Sequence, residues 1–346
     1  VCDVTTSIDR HLLLPSIDDY LGPGETRFFS RGYQRAEYRV GDLVVAPVDA
    51  PDAGVRGTVD VSYPADWSRK KDGTDLRPHL STVDALVLGV QLAELHLTYG
   101  YGLDAAARRR MRLVKVVLRA GGAPQEELAD IPLAARLVRT TAMSDREGRF
   151  RSVHNCTVGN LQVRCEIEHD ISVRAVREAR FDGLEDALGP DRDRFWGGGF
   201  KHRRHHIREV GIDLGEFTAR ADVTFDPETE PAPDGIEGDR RSAVSLIDAF
   251  VVNLQLAQVL LYELDSISRS ESNTLWMMQT VLEAPPEQPL RTGPDTHAAR
   301  ATLSSRRLLP LRGGLWRSVE ITGELAGVQL RCGFAHELPP SAVVAD

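Results

Sequence analysis

The chain states nearly the same thing twice. Asp84–Leu95 reads DALVLGVQLAEL and Asp248–Val259 reads DAFVVNLQLAQV, each preceded by a serine three residues before the aspartate, Ser81 and Ser245. Downstream, Phe150-Arg151-Ser152-Val153 answers Trp316-Arg317-Ser318-Val319, and Leu161–Cys165 answers Val328–Cys332, each followed four residues on by a histidine, His169 and His336. Upstream, Gly32-Tyr33 answers Gly199-Phe200, and Val59–Tyr63 answers Ala221–Phe225. The matches keep their order, and their offsets drift only from 162 to 167 residues. Loop insertions cause such drift. A tandem duplication follows, and it restricts the fold to two copies of one unit.

Each copy must then be a complete layered unit. A chain of 346 residues with 42% apolar and 27% charged residues has enough material for a core in each half. Ala85, Leu86, Val87, Leu88, Val90, Leu92, Ala93, Leu95 and Leu97 surround nearly the whole circumference of a helix expected over Ser81–Tyr99, and a helix apolar all round is a buried one. Its counterpart is expected over Ser245–Ser266. Strands are expected around them: Tyr33–Val40, Gly57–Tyr63, Arg112–Arg119, Ala134–Ala142, Phe150–Thr157 and Leu161–His169. In the second copy they fall at His205–Asp213, Glu216–Phe225, Leu275–Glu283, Ala298–Leu308, Leu315–Glu324 and Val328–His336. The economical solution is α+β: an antiparallel sheet wrapped around a central helix, twice, which is the double hot dog. A generic two-domain α+β protein is the alternative. The expected division is residues 1–172 for a turn-rich lead-in and the first unit, 173–195 for a connecting helix built on the amphipathic stretch Val173–Leu188, and 196–346 for the second unit and a Pro-rich tail.

Charge and composition remove some partners. A formal charge of −9 disfavours nucleic acid, which needs a basic face. No run of 18 uninterrupted apolar residues suggests a membrane span, and Val1–Val4 does not open an export signal, so a cytoplasmic location is expected. Cys2, Cys156, Cys165 and Cys332 lack CxxC spacing and are expected as reduced thiols, with the matched Cys165 and Cys332 filling core. No metal site and no cofactor are expected: Gly197-Gly198-Gly199 is not a phosphate loop, and no nucleophile elbow occurs.

The duplication also sorts candidate residues. Positions kept in both halves favour scaffold, whereas positions that differ favour a specialised site. Asp84 and Asp248 sit in Ser-x-x-Asp capping boxes, so each has a structural reading beside an acid/base one. Gln91 and Gln255 lie seven residues on, about 20° from those aspartates around the helix. They either bond sheet backbone or line a substrate slot. The differences are His79 against Ala243, Gly89 against Asn253, Glu94 against Gln258, His96 against Leu260 and His154 against Glu320. The first half therefore carries more titratable groups. His79, just before the helix, is the best-placed histidine for proton transfer, with an exposed-loop reading beside it. His96 points roughly 160–200° away from Glu94, so those two do not pair. The candidate catalytic set is His79, Asp84 and Gln91, and the candidate substrate-binding set is Glu94, Asp248, Asn253, Gln255 and His154. The basic run Lys201-His202-Arg203-Arg204-His205-His206 reads either as a phosphate grip or as a charge-protected edge strand.

The opening run Ile17–Tyr33, IDDYLGPGETRFFSRGY, resembles the start of the avirulence protein D (AvrD) family, and the resemblance extends over the helix near Asp84 and the Arg-Ser-Val strand near Val153. It implies chemistry that joins a β-ketoacyl thioester, carried by acyl carrier protein or coenzyme A, to a keto-sugar such as xylulose, giving a syringolide-type butenolide precursor. The double hot dog also resembles the A-factor synthase (AfsA) group, whose acidic helix residue has no clean match where Gln91 and Gln255 stand. The expected function is thus an acyl-transferring, condensing enzyme. The other readings are a hot-dog dehydratase or thioesterase, or a non-catalytic acyl-ligand binder; a homodimer is compatible with each.

Overall fold

The computed structural model describes residues 11–66, 78–172, 177–226, 233–240, 242–268, 275–287, 295–311 and 313–339. Fourteen strands run in chain order: β1 His11–Ser16, β2 Glu37–Ala46, β3 Gly54–Ser62, β4 Arg112–Arg119, β5 Ile131–Ala142, β6 Phe150–Val158, β7 Leu161–His169, β8 Ala179–Phe181, β9 His205–Asp213, β10 Thr218–Phe225, β11 Trp276–Glu283, β12 His297–Leu311, β13 Gly314–Leu325 and β14 Val328–Glu337. They form one antiparallel sheet in the order β1-β9-β10-β12-β13-β14-β11-β4-β7-β6-β5-β3-β2-β8. The block β4-β7-β6-β5-β3-β2 repeats as β11-β14-β13-β12-β10-β9 with the order mirrored about the seam.

That seam shows the duplication as geometry. β4 and β11 pair antiparallel, and Val117 sits opposite Val281, which is its own counterpart in the other copy. A pseudo-twofold axis therefore passes through this pair. The two long helices, Thr82–Gly100 and Leu246–Leu264, each lie in the curve of one half-sheet. Every residue from Thr82 to Leu97 is buried, as the apolar circumference requires. The second helix is apolar enough to cross a bilayer by composition, with a mean hydropathy of 1.3, yet 89% of it is buried inside the protein. The strands supply the other wall with period two: Leu161, Val163, Cys165 and Ile167 face inward while Gln162, Arg164 and Glu166 face out. Fully burying one such apolar side chain contributes about 1.5–3 kcal/mol. The fold is a double hot dog.

Local signals explain where both helices begin. Ser81 Oγ accepts the Asp84 amide and the Asp84 carboxylate accepts the Ser81 amide, and Ser245 and Asp248 do the same.

Four expectations need correction. The connecting helix over 173–195 is, in its described part, the strand β8 and a single helical turn, Leu184–Leu188; Gly183 and Gly189 bound that turn, and Phe181 pairs with Leu43 of β2. The lead-in is not only turns, because β1 pairs with β9 of the second unit. The basic run is mostly not strand: Lys201 and His202 lie in a 3-10 turn, Gly199–His202, and only His205 and His206 open β9, where they pair with β10. Strand β2 also starts later than expected, after a 3-10 turn at Gly32–Arg35. Residues 1–10, 67–77, 227–232 and 340–346 lie outside the described residues.

The corrections share one geometry: the leading segments are exchanged. β1 precedes the first unit but extends the second half-sheet, and β8 precedes the second unit but extends the first. Behind each strand follows the same sequence, Leu21-Gly22-Pro23-x-x-x-Arg27-Phe28 and Leu188-Gly189-Pro190-x-x-x-Arg194-Phe195. Gly22 and Gly189 have φ of 81° and 87°, the left-handed conformation that ends a short helix and favours glycine. Each turn thereby carries its arginine over to the other unit's helix.

Candidate functional site

Where the second exchanged segment crosses the first helix, Gln91 and Glu94 share one face, three residues apart. Arg194 is completely buried there. Its Nη1 donates to Gln91 Oε1 at 3.2 Å, its Nε donates to the Gly189 carbonyl at 3.2 Å, and its Nη2 pairs with Asp191. Glu94 is also completely buried, and among the described residues neither carboxylate oxygen makes a well-formed hydrogen bond. Burial raises its pKa above the ordinary carboxylate range; the charges of Arg194 and Arg108 pull it back only in part, and Asp234 pushes with burial. Arg108 pairs with Asp234 and donates to the Leu188 carbonyl. Gly235, at φ 77°, lies directly on the carboxylate, and a Cβ there would collide with Glu94 Oε1. Two residues on, Glu237 adopts a left-handed backbone at φ 66° and its pKa is pushed up to about 7, mainly by burial, against the pull of Trp196 and Arg112.

A desolvated carboxylate held between guanidinium groups is a proton acceptor poised above its usual range. The candidate site is therefore Glu94, Gln91 and Arg194, assembled from the first helix and the second unit's leading segment. Its counterpart on the second helix has Gln255, whose Nε2 donates to the carbonyls of Phe29 and Val251, both at 3.1 Å, and contacts His205 Nε2 at 3.1 Å. Gln258 replaces the carboxylate there.

The other expected residues fall elsewhere. Asp84 accepts from the Ser81 amide and hydroxyl, from Tyr38 at 2.7 Å and from Tyr63. Four donors saturate its lone pairs, so its position answers the capping reading. His79 is half-buried, and its carbonyl accepts from Tyr63 at 3.1 Å. Asp248 is held by Arg203 at 2.8 Å and by its capping serine. Burial alone would raise its pKa, but Arg203 and Ser245 bring it below the ordinary value. Asn253 donates to its own helix at Ala249 and packs on Gly323. His154 meets His96 at 2.9 Å, and His96 contacts the Ala46 carbonyl at 3.2 Å. Burial drives the pKa of His96 down to about 4 and that of His154 well below the normal value, so both are neutral core groups.

Among these, Gln91 and Glu94 come together, while Asp84 sits ~15 Å along the helix from Glu94. The residues missed from the sequence are Arg194, Arg108 and Gly235. The repeated Leu-Gly-Pro-x-x-x-Arg-Phe run is the signal that marks the first of them. A larger cavity of about 960 Å³ lies on the outer face over the β4–β11 seam, lined by Lys115, Arg119, Glu166 and Glu283 among others. It is away from Glu94, and its charges face solvent or pair across the seam, as Lys115 and Glu283 do at 2.8 Å. The site's chemistry therefore does not reside there.

This architecture defines a double hot-dog protein with a buried glutamate on one helix. The Pseudomonas avirulence D protein (AvrD) family matches residues 11–339, and the chain belongs to that family. No curated protein matches its sequence. Among solved structures it is similar to a 12:0-ACP thioesterase from Umbellularia californica, with 12% identity over 92% of this chain and 97% of that one and a TM-score of 0.38. It is also similar to a double hot-dog protein of Mycobacterium tuberculosis, with 12% identity over 75% and 82% and a TM-score of 0.38. A MaoC-like dehydratase shares 8% identity over 91% and 99%, with a TM-score of 0.32.

Proposed function

We propose that this AvrD-family protein is an acyl-transferring, condensing enzyme that joins a β-ketoacyl thioester to a keto-sugar such as xylulose, with Glu94 as the general base. The observation that carries the reading is the buried Glu94 carboxylate, raised in pKa and bonded to no side chain among the described residues. In this scheme Glu94 takes the proton of an acceptor hydroxyl as its oxygen attacks the thioester carbonyl. The Gln91 amide, oriented through its Oε1 by Arg194, donates to the oxyanion. Collapse breaks the C–S bond, the thiolate leaves with the proton held by Glu94, and an ester forms. The methylene between the two carbonyls of the bound acyl group is already acidic. Its attack on the sugar ketone closes the ring, with loss of water. Gly235, packed on the carboxylate, excludes water from it. The acyl tail lies along the apolar helix, where each buried CH₂ contributes about 0.8 kcal/mol.

The test is direct. Purified protein is mixed with a β-ketoacyl thioester and xylulose, free thiol is followed with a chromogenic disulfide, and products are weighed by mass spectrometry. The expected product is the acyl-sugar adduct or its lactone. Thiol release with free acid as the only product makes the protein a thioesterase. An enoyl product from a 3-hydroxyacyl thioester makes it a dehydratase. No turnover of any of these sinks the enzymatic reading.

A further inference from the structure

The counterpart site on the second helix has a different character. There the first exchanged segment and the start of β9 enclose a cavity of about 120 Å³, walled in part by Ser16, Arg27, Ser30, Arg31, His205 and Gln255. Arg27 is 4% exposed, and Ser30 and His205 are each 7% exposed. Two guanidinium groups and two hydroxyls thus border one small space against a helix amide. Asp18 and Glu25 also border it, but Asp18 is paired with Arg27. Arg31 Nη1 is buried, and among the described residues it makes no hydrogen bond. Its charge is disfavoured by burial and then by its neighbour Arg204, which together outweigh the pull of Tyr33, Glu25 and Asp226 and lower its pKa. His205 is held neutral, its pKa down to about 4, by burial with help from Arg31 and Arg27 against the pull of Asp248.

A desolvated cation repelled by another cation is costly unless an anion completes it. The cavity, of about 120 Å³, has room for a tetrahedral oxyanion. The first helix lacks this arrangement. Gly197 and Gly198 stand where Ser30 and Arg31 stand, and Arg194 is engaged by Gln91 and Asp191.

We infer that this cavity, which His206 and Arg208 also line, binds the phosphoryl group of a ligand. Guanidinium forks and hydroxyls are the donors that recognise phosphate oxygens. Two ligands of the proposed reaction type bring such a group: a phosphorylated sugar acceptor and the phosphopantetheine arm of the thioester. The inference does not depend on Glu94, so binding and turnover can fail separately.

The experiment is calorimetric titration at fixed ionic strength of inorganic phosphate, a ketopentose phosphate and phosphopantetheine against the wild type, Glu94→Gln and Arg31→Met. The wild type and Glu94→Gln are expected to bind at least one of the three alike, and Arg31→Met at least tenfold more weakly. Without phosphate, Arg31→Met is expected to melt no lower than the wild type, since the substitution removes a half-buried charge repelled by Arg204. The ketopentose phosphate binding tightest would identify the acceptor as the source, and phosphopantetheine binding tightest the thioester arm. If Arg31→Met does not fold, Ser30→Ala is titrated instead, with weakened binding expected. No binding by any of the three phosphates, or undiminished binding in the variant used, overturns the inference.

Discussion

The two ends of the pseudo-twofold began as the same site and now hold different chemistry. On the first helix Gln91 and Glu94 face Arg194, which is saturated by local acceptors, and among the described residues the Glu94 carboxylate has no side-chain hydrogen bond, only the nearby Ile236 amide. On the second, Gln255 and Gln258 carry no charge, and the cation Arg31, whose Nη1 makes no hydrogen bond among the described residues, stands on the opposite wall. In the proposed scheme one end keeps a base and the other an anion receptor. The C-terminal ends of the helices diverge too. The first ends on a neutral chain in which Tyr101, Thr140, Ser152 and His169 are linked in succession at 2.7 Å. The second replaces it with a buried ion cluster in which Arg317 donates to Asp265 at 2.9 and 2.6 Å and His336 lies 3.3 Å from the same carboxylate. What survives in both halves is the machinery that starts and buries a helix; what differs is the charge placed around it. A duplicated gene separates those duties because the second copy can lose a function while the fold it supports is kept.

The contrast can be broken most sharply at Glu94. Glu94→Gln makes the first helix resemble the second and is expected to lower kcat for thiol release by 10²–10⁴, as loss of a general base does, whereas Gln255→Ala lowers it less than tenfold. Comparable losses from both would mean that the ends are functionally equivalent. Because burial raises the Glu94 pKa, the acid limb of the kcat/KM profile should lie above the ordinary carboxylate range and vanish in Glu94→Gln.

Next in size is the ion cluster. Arg317→Ala leaves Asp265 buried without its main partner and is expected to cost about 3–5 kcal/mol in urea unfolding. Ser152→Ala, in the neutral chain of the first unit, should cost about 1–3 kcal/mol. Equal costs would show that charge does not distinguish the two ends.

Acid should also discriminate between the halves. His96, His154 and His169 in the first unit, and His205 in the second, all have pKa values depressed by burial, to about 4 for His96, His169 and His205. A histidine depressed in the folded state contributes stability that is present above its unfolded value near 6.5 and lost as the pH falls from there toward 4. The slope reaches roughly 1.4 kcal/mol per pH unit for each such group. Glu94 and Glu237 act in the opposite sense, since raised carboxylates lose their contribution as the pH rises, for Glu237 through about 7. With three depressed histidines against one, hydrogen exchange between pH 6.5 and 4 should loosen β6 and β7 before β13 and β14. The reverse order would refute the assignment. The smallest effect is expected from the caps: Ser81→Ala and Ser245→Ala should each cost about 1 kcal/mol, and equally, because this part of the repeat has not diverged.

Much of the scaffold was legible. Eleven of the twelve expected strands and both helices fall within a few residues of where periodicity and capping place them, because an apolar helix face and an alternating strand report their own burial whatever they pack against; β2 alone is displaced along the chain. Gln91 and Glu94 were legible as polar intrusions in an apolar helix, but not as neighbours of an arginine 103 residues away. Asp84 was misleading in one of its two readings, since one side chain serves equally as cap and as acid until its four donors are seen.

The sequence by itself thus determined the duplication, the helix starts, the strand alternation and hence the double hot dog. Only the tertiary structure decided that each leading segment crosses to the other unit, placing Arg194 on the first helix and Arg27 beside the second. A run of turns has no period from which to read its partner, and the exchange depends on which open sheet edge lies within its reach. That is a property of the closed fold rather than of any segment in it.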